Sequence, residues 1–201
     1  MTKNLLIIFT RNPELGAVKT RLAKTIGDKA ALSIYCFLLE HTHAITQNLS
    51  CDKAVYYSVE VRDHDLWNPI HYQKKQQFGA DLGIRMQNAF QNSFDAGYQK
   101  VIIIGSDLID LSKEIIETAF LELDNNEVVL GPAEDGGYYL LGLKKLEPKL
   151  FANKKWGSAT VRSDTLSDLK DKKVHLLETF NDIDVFEDIE GHPAFQAFLN
   201  N

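Results

Sequence analysis

Four stretches carry residues whose types and spacing could do chemistry. TRNPELGAVKTRL (10–22) sets Arg11, Lys19 and Arg21 on a loop that also holds Pro13 and Gly16. Three cations so placed could bind an anionic oligophosphate, arginine by bidentate geometry and lysine as a point charge. A solvated basic loop leading into a helix is the competing explanation. A Walker-type phosphate loop is excluded, because glycines would be needed where Pro13 and Val18 stand. IIIGSDLIDLS (102–112) ends an apolar run with Asp107. A carboxylate there is costly unless it is capped, paired or metal-bound. Mg²⁺ takes one or two carboxylates and completes its octahedron with phosphate oxygens and water. The alternative is a turn cap at Asp107, with Ser112 capping the next helix.

GPAEDGGYYLLGL (131–143) places Glu134 and Asp135 before Gly136, Gly137, Tyr138 and Tyr139. A turn needs one glycine, so the second suggests a close approach to the backbone. A tight turn between strands explains the same residues, and strand alternation sends at least one tyrosine into the core. NDIDVFEDIEG (181–191) holds Asp182, Asp184 and Asp188. It is no EF-hand, which would need Asp or Asn at Phe186 and Gly at Glu187; taken alone it reads as an acidic turn entering a helix. The six histidines lack metal-ligand spacing, and no serine or cysteine stands in a nucleophile motif.

The chain has 201 residues, enough for one substantial core. Its 22 basic and 28 acidic residues give a net charge of −6, which argues against a nucleic-acid polymer as partner. Cys36 and Cys51 give neither a disulfide framework nor a zinc pattern. The apolar run from Leu5 to Phe9 is too short for a signal core or a membrane span, so a cytoplasmic protein with no membrane partner is expected.

Elements must position these residues. Compact apolar runs predict strands at 4–10, 53–60, 100–107, 127–131 and 138–143. Helical spacing marks 28–48, with Asp28 as N-cap, and 80–97, with Gly97 as its stop; a further helix follows Ser112 over 112–124. The tail adds a helix near 158–170, a strand at 174–178 and a short closing helix. The alternation predicts an α/β sheet, mostly parallel, with helices on both faces. Ligands bind outside the carboxyl ends of such strands, where the basic loop and the carboxylates of the other three stretches would converge.

Five ordered motifs, FTRNPELGAVKTRL, GADLGIRMQNAF, GSD, LGPAEDGGYYLLGL and DIDVFEDI, spread over nearly the whole chain. They resemble the uncharacterised GT-A-like transferases grouped with radical-SAM and selenium-related genes. That resemblance implies a single-domain nucleotide-diphospho-sugar transferase fold over residues 1–201, a three-layer α/β sandwich with a mostly parallel central sheet. VKTRL (18–22) is also similar to the N-terminal loop of phospholactate guanylyltransferases, which cradles the triphosphate. By these resemblances Arg11, Lys19 and Arg21 bind phosphates, and Asp81, Leu82 and Gly83 match the loop that contacts the nucleobase. Asp107 holds Mg²⁺ or Mn²⁺, with Asp182 or Asp184 as second ligand. Lys19, Arg21, Asp107 and Asp135 are the expected catalytic residues. Asp135, Gly136, Gly137, Tyr138 and Trp156 form the expected acceptor or sugar pocket, with Tyr138 or Tyr139 as its wall and Trp156 as an apolar cover. One departure stands out: relatives read G-x-D-x-P, and this chain has Leu108 and Ile109 followed by Asp110. The implied function is metal-dependent transfer from a nucleotide-activated donor, a nucleotide sugar, to a small-molecule acceptor. Nucleotidyl transfer with pyrophosphate release, and nucleotide binding without catalysis, are the alternatives.

Overall fold

In the computed structural model, which describes residues 3–199, β1 (Asn4–Thr10) lies in the interior of a seven-stranded sheet. The other strands are β2 (Asp52–Tyr57), β3 (Gln73–Gln76), β4 (Lys100–Ile104), β5 (Val128–Pro132), β6 (Tyr138–Leu143) and β7 (Val174–Leu176). Their order is β3-β2-β1-β4-β6-β5-β7. β6 runs antiparallel to β4 and β5, and every other pairing is parallel.

The apolar runs form strands buried on both faces, as parallel sheets covered by helices require. On β1, Leu6 and Ile8 meet Tyr35 and Leu39 of α2 (Asp28–Thr46) and Ile116 of α4 (Lys113–Asn125). Leu5 and Ile7 face the opposite side, against Met86 and Phe90 of α3 (Leu82–Asp95). A third cluster joins Leu22 of α1 (Thr20–Ile26) and Leu38 to Ile183, Ile189 and Phe195. It anchors the acidic stretch of the tail beside α1. Helix α5 (Val161–Asp168) and the closing helix α6 (Gln196–Leu199) complete the chain.

The expected architecture is present, a three-layer α/β sandwich on a mostly parallel sheet. Ser112 caps α4 by accepting from the Ile115 N–H at 3.4 Å, and Gly97 follows the end of α3 at φ 83°. Other local expectations need correction. Gly27, not Asp28, is the N-cap of α2, and Asp28 opens the first turn. The strand expected over 53–60 ends at Tyr57, the helix near 158–170 covers only Val161–Asp168, and the strand at 174–178 stops at Leu176. Two elements lay outside the expectation. Strand β3 has the sequence QKKQ, which contains no apolar residue and suits an exposed edge. Helix α1 begins inside the basic loop itself.

Candidate active site

The parallel strands β1, β2 and β4 end at one edge, and β6 starts there because it runs antiparallel. The loops at this edge are tied together by side chains. The buried Tyr35 hydroxyl accepts the Arg11 N–H at 2.8 Å and lies 3.0 Å from Thr10 Oγ1 and 3.3 Å from Ser106 Oγ. It thereby joins the ends of β1 and β4. Asn12 accepts the Val59 N–H at 3.0 Å and donates to the Glu60 carbonyl at 2.8 Å, fixing the loop after β2. Gln77 donates to the carbonyls of Thr10 and Tyr56 at 3.1 and 2.9 Å.

Lys19 occupies the left-handed region at φ 47°, the N-cap position of α1. A non-glycine residue there is strained, and such strain concentrates at functional positions. Its side chain is only 6% exposed, and its ammonium donates to Asp107 Oδ2 at 3.0 Å. Asp107 is therefore paired, not a turn cap. The Asp107 carbonyl accepts the Ile183 N–H at 3.1 Å. That bond hangs the tail against the turn after β4 and brings Asp182 and Asp184, the neighbours of Ile183, to the site. Asp188 shapes this segment by accepting the Asp184 and Val185 N–H groups, both at 2.7 Å.

The two neighbours of Ile183 do different things. Asp184 pairs with Arg21 at 2.6 Å. Asp182 is half-buried, and burial pushes its carboxyl up to about 6, helped by the nearby charges of Asp107 and Asp135 and opposed by Lys19. Asp107, Asp135 and Asp182 are thus crowded carboxylates offset by one lysine.

Two adjoining cavities open at this edge. The larger, about 710 Å³, is lined by Arg11, Lys19, Arg21 and Arg85, together with Tyr35 and Ser106. The smaller, about 230 Å³, is walled by Met86, Ile103, Trp156 and Val161, with Asp135 and Asp182 as polar groups. Phe9, Leu82, Gly105 and Asp107 line both. Together they have the size and mixed character of a small-molecule site.

Most expected site residues gather here, in modified roles. Of the Asp81-Leu82-Gly83 loop, only Leu82 lines the cavities. Asp81 caps α3 by accepting the Ile84 N–H at 2.8 Å. Gly83 is buried where a Cβ would come within 2.5 Å of the Trp156 indole nitrogen, so its missing side chain makes room for Trp156. The close approach expected at Gly136 is made by the chain's own backbone: at φ 90°, a Cβ there would lie 2.2 Å from the Ala159 carbonyl oxygen. Gly136 thereby seats the Trp156 loop. Gly137 lines the smaller cavity and donates to Asp135 Oδ1 at 2.7 Å, which orients that carboxylate. Both Tyr138 and Tyr139 line the smaller cavity; Tyr139 is also core, its hydroxyl donating to the Glu178 carbonyl at 3.0 Å. Thr10, Tyr35, Gln77, Arg85 and Ser106 were not anticipated.

The sequence profile of a family described as an uncharacterized protein conserved in bacteria, DUF2064, matches residues 41–158. The chain belongs to this family. A crystal structure of a candidate nucleotide-diphospho-sugar transferase from Desulfovibrio desulfuricans G20 superposes with a TM-score of 0.85 at 29% identity, over 100% of this chain and 95% of that one. Two more distant structures share the fold. The 4-diphosphocytidyl-2C-methyl-D-erythritol synthase of Anaerococcus prevotii DSM 20548 gives a TM-score of 0.62 at 13% identity, covering 100% and 97% of the two chains. A CMP:2-keto-3-deoxy-manno-octonic acid synthetase complexed with CTP gives 0.56 at 9%, covering 98% and 99%. No curated protein matches the chain. Among the described residues, no helix is long and apolar enough to cross a membrane.

Proposed function

We propose that the chain is a transferase that holds a nucleotide-activated donor, a nucleoside diphospho-sugar, in the larger cavity and passes the activated group to an acceptor in the smaller one. The observation that carries this reading is the division of charge about Asp107. Four cationic side chains line the larger cavity, and carboxylates with apolar walls line the smaller. The similarity of the whole chain to the D. desulfuricans protein supports the same choice of donor.

In this reading Arg11 and Arg21 bind the phosphates and Lys19 takes the charge that develops on the departing diphosphate. A preorganised cation in such a place contributes roughly 3 kcal/mol to transition-state stabilisation. Asp135, oriented by the Gly137 N–H, accepts the proton of the acceptor's nucleophile. The residues also fit a divalent ion. Asp107, Asp135 and Asp182 line one cavity, where burial first and then the charges of the other two raise the Asp182 carboxyl to about 6, and hard oxygen donors suit Mg²⁺ or Mn²⁺. Among the described residues no three His, Cys, Asp or Glu side chains form a ready-made ion site, so Asp107 and Asp182 would hold the ion jointly with the donor's phosphates. A bound ion would neutralise charge on the leaving group. Asp184, committed to Arg21, is the weaker ligand.

Nucleotidyl transfer is the second reading, favoured by the number of cations in the larger cavity, which suits a triphosphate as well as a diphosphate. A panel of nucleotide sugars and nucleoside triphosphates, assayed with Mg²⁺ and mixed acceptors, separates the two. Glycosyl transfer releases nucleoside diphosphate from the sugar donor; release of pyrophosphate from a triphosphate alone would establish the second reading. Failure to bind every member of the panel would refute both.

A further inference from the structure

The chemistry of the smaller cavity selects a class of acceptor, an inference that rests on the transfer reading above. Among the described residues lining this cavity there is no lysine, arginine or histidine. Its charged groups are Asp107, Asp135 and Asp182. Lys19 lines the other cavity and is already paired with Asp107, and Arg162, outside the lining, donates to the carbonyl of the lining residue Ala133 at 3.2 Å. The walls are apolar, and Trp156 is held in place by the gap at Gly83 and by the packing of Ala159 on Gly136. Tyr138 forms part of the same wall, packed on the apolar cluster of Met86 and Phe151, with its hydroxyl closed off from the cavity.

We infer that the acceptor is a small neutral or cationic molecule with an apolar body, presenting a hydroxyl or amine nucleophile to Asp135, and that phosphorylated and carboxylated acceptors are rejected. A cavity of about 230 Å³ admits a body of about eight heavy atoms, taking roughly 30 Å³ as the share of one water in the liquid. An anionic group placed among these carboxylates meets like charge, and an ion shared by Asp107, Asp182 and the donor's phosphates would have its charge already balanced there, so such an acceptor binds more weakly. In the reaction, the acceptor oxygen or nitrogen forms the bond to the donor carbon. The carbon–oxygen bond to the diphosphate breaks with its electron pair on the departing oxygen, and the acceptor's proton passes to Asp135.

The test uses three probes that share one apolar body: benzyl alcohol, benzylamine and benzyl phosphate. Binding to the full chain in metal-free buffer is followed through the indole N–H resonance of Trp156, assigned by its loss in Trp156→Phe. The alcohol and the amine should bind at least tenfold more tightly than the phosphate, and Asp135→Asn combined with Asp182→Asn should narrow that gap to within about threefold. Equal or tighter binding of benzyl phosphate, or no shift of the Trp156 signal with any probe, would overturn the inference. Nucleotide binding, measured in the same samples with UDP, GDP, CDP and ADP plus Mg²⁺, bears separately on the transfer reading. Nucleotide bound with benzyl phosphate preferred removes only the acceptor class. Probes in the expected order with no nucleotide bound remove the transfer reading and leave the ligand class of the cavity standing.

Discussion

The two cavities share a wall at Gly105 and Asp107 yet are built in opposite ways. The larger is held open by hydrogen bonds: Tyr35, Asn12 and Gln77 tie three loops to one another, and the cations project from that frame. The smaller is held by packing: Gly83 admits the Trp156 indole and Gly136 admits Ala159, so the lid loop rests on two missing side chains. Polar frames fix where charge sits, and packed walls fix shape. The difference suits a donor recognised by its phosphates and an acceptor recognised by its body. Asp107 belongs to both cavities, and through its own carbonyl it also holds the tail that delivers Asp182.

The comparison can be broken from either side. The largest effect is expected for Lys19→Met, which removes the buried cation facing Asp107. It should lower kcat by about 10²- to 10³-fold while the acceptor KM changes little; steady-state kinetics with varied acceptor checks it, and a change confined to acceptor KM would assign Lys19 to the wrong cavity. Next comes Gly136→Ala. A Cβ at φ 90° meeting the Ala159 carbonyl oxygen at 2.2 Å should destabilise the fold by about 2–3 kcal/mol in urea denaturation. The equivalent Gly137→Ala, which has more room, should cost less.

Trp156→Ala should raise the acceptor KM about tenfold or more, equivalent to at least about 1.4 kcal/mol, and leave donor KM unchanged. A matched rise in both would mean that the two cavities act as one. The smallest effect concerns Asp182. Its folded pKa is raised from 3.8 to about 6, so the carboxyl favours folding when protonated, and that contribution is lost as pH rises through about 6. In metal-free buffer, Asp182→Asn should therefore be more stable than the wild type by about 1 kcal/mol at pH 8, after allowance for solvent screening. The two should be nearly equal at pH 4. Thermal unfolding at the two pH values reads this directly.

Much of this was legible in the residues. The apolar runs fixed five strands because a strand buried on both faces leaves little choice of composition. Asp107 could be placed at the ligand edge from the end of one such run, and Lys19 and Arg21 from the loop after another. What escaped notice did so for physical reasons. Strand β3 has no apolar residue, since it pairs on one side only. Tyr35 stands on an apolar face of α2 with Leu39, so its type and spacing read as core, and only the fold reveals the hydroxyl reaching Arg11 and Ser106. Gly136 was noticed but assigned the wrong neighbour, whereas Gly137 does line the smaller cavity. Sequence shows that something approaches Gly136, and the tertiary fold supplies Ala159.

The central claim is that nucleotide binds on the Lys19 side of Asp107 and not on the Trp156 side. Titration calorimetry of UDP, GDP, CDP and ADP with Mg²⁺ against the wild type, Lys19→Met and Trp156→Ala tests it most directly. The account predicts that the nucleotide bound best by the wild type loses at least tenfold in affinity, about 1.4 kcal/mol, with Lys19→Met and stays within about twofold with Trp156→Ala. Affinity retained by Lys19→Met and lost by Trp156→Ala would contradict it.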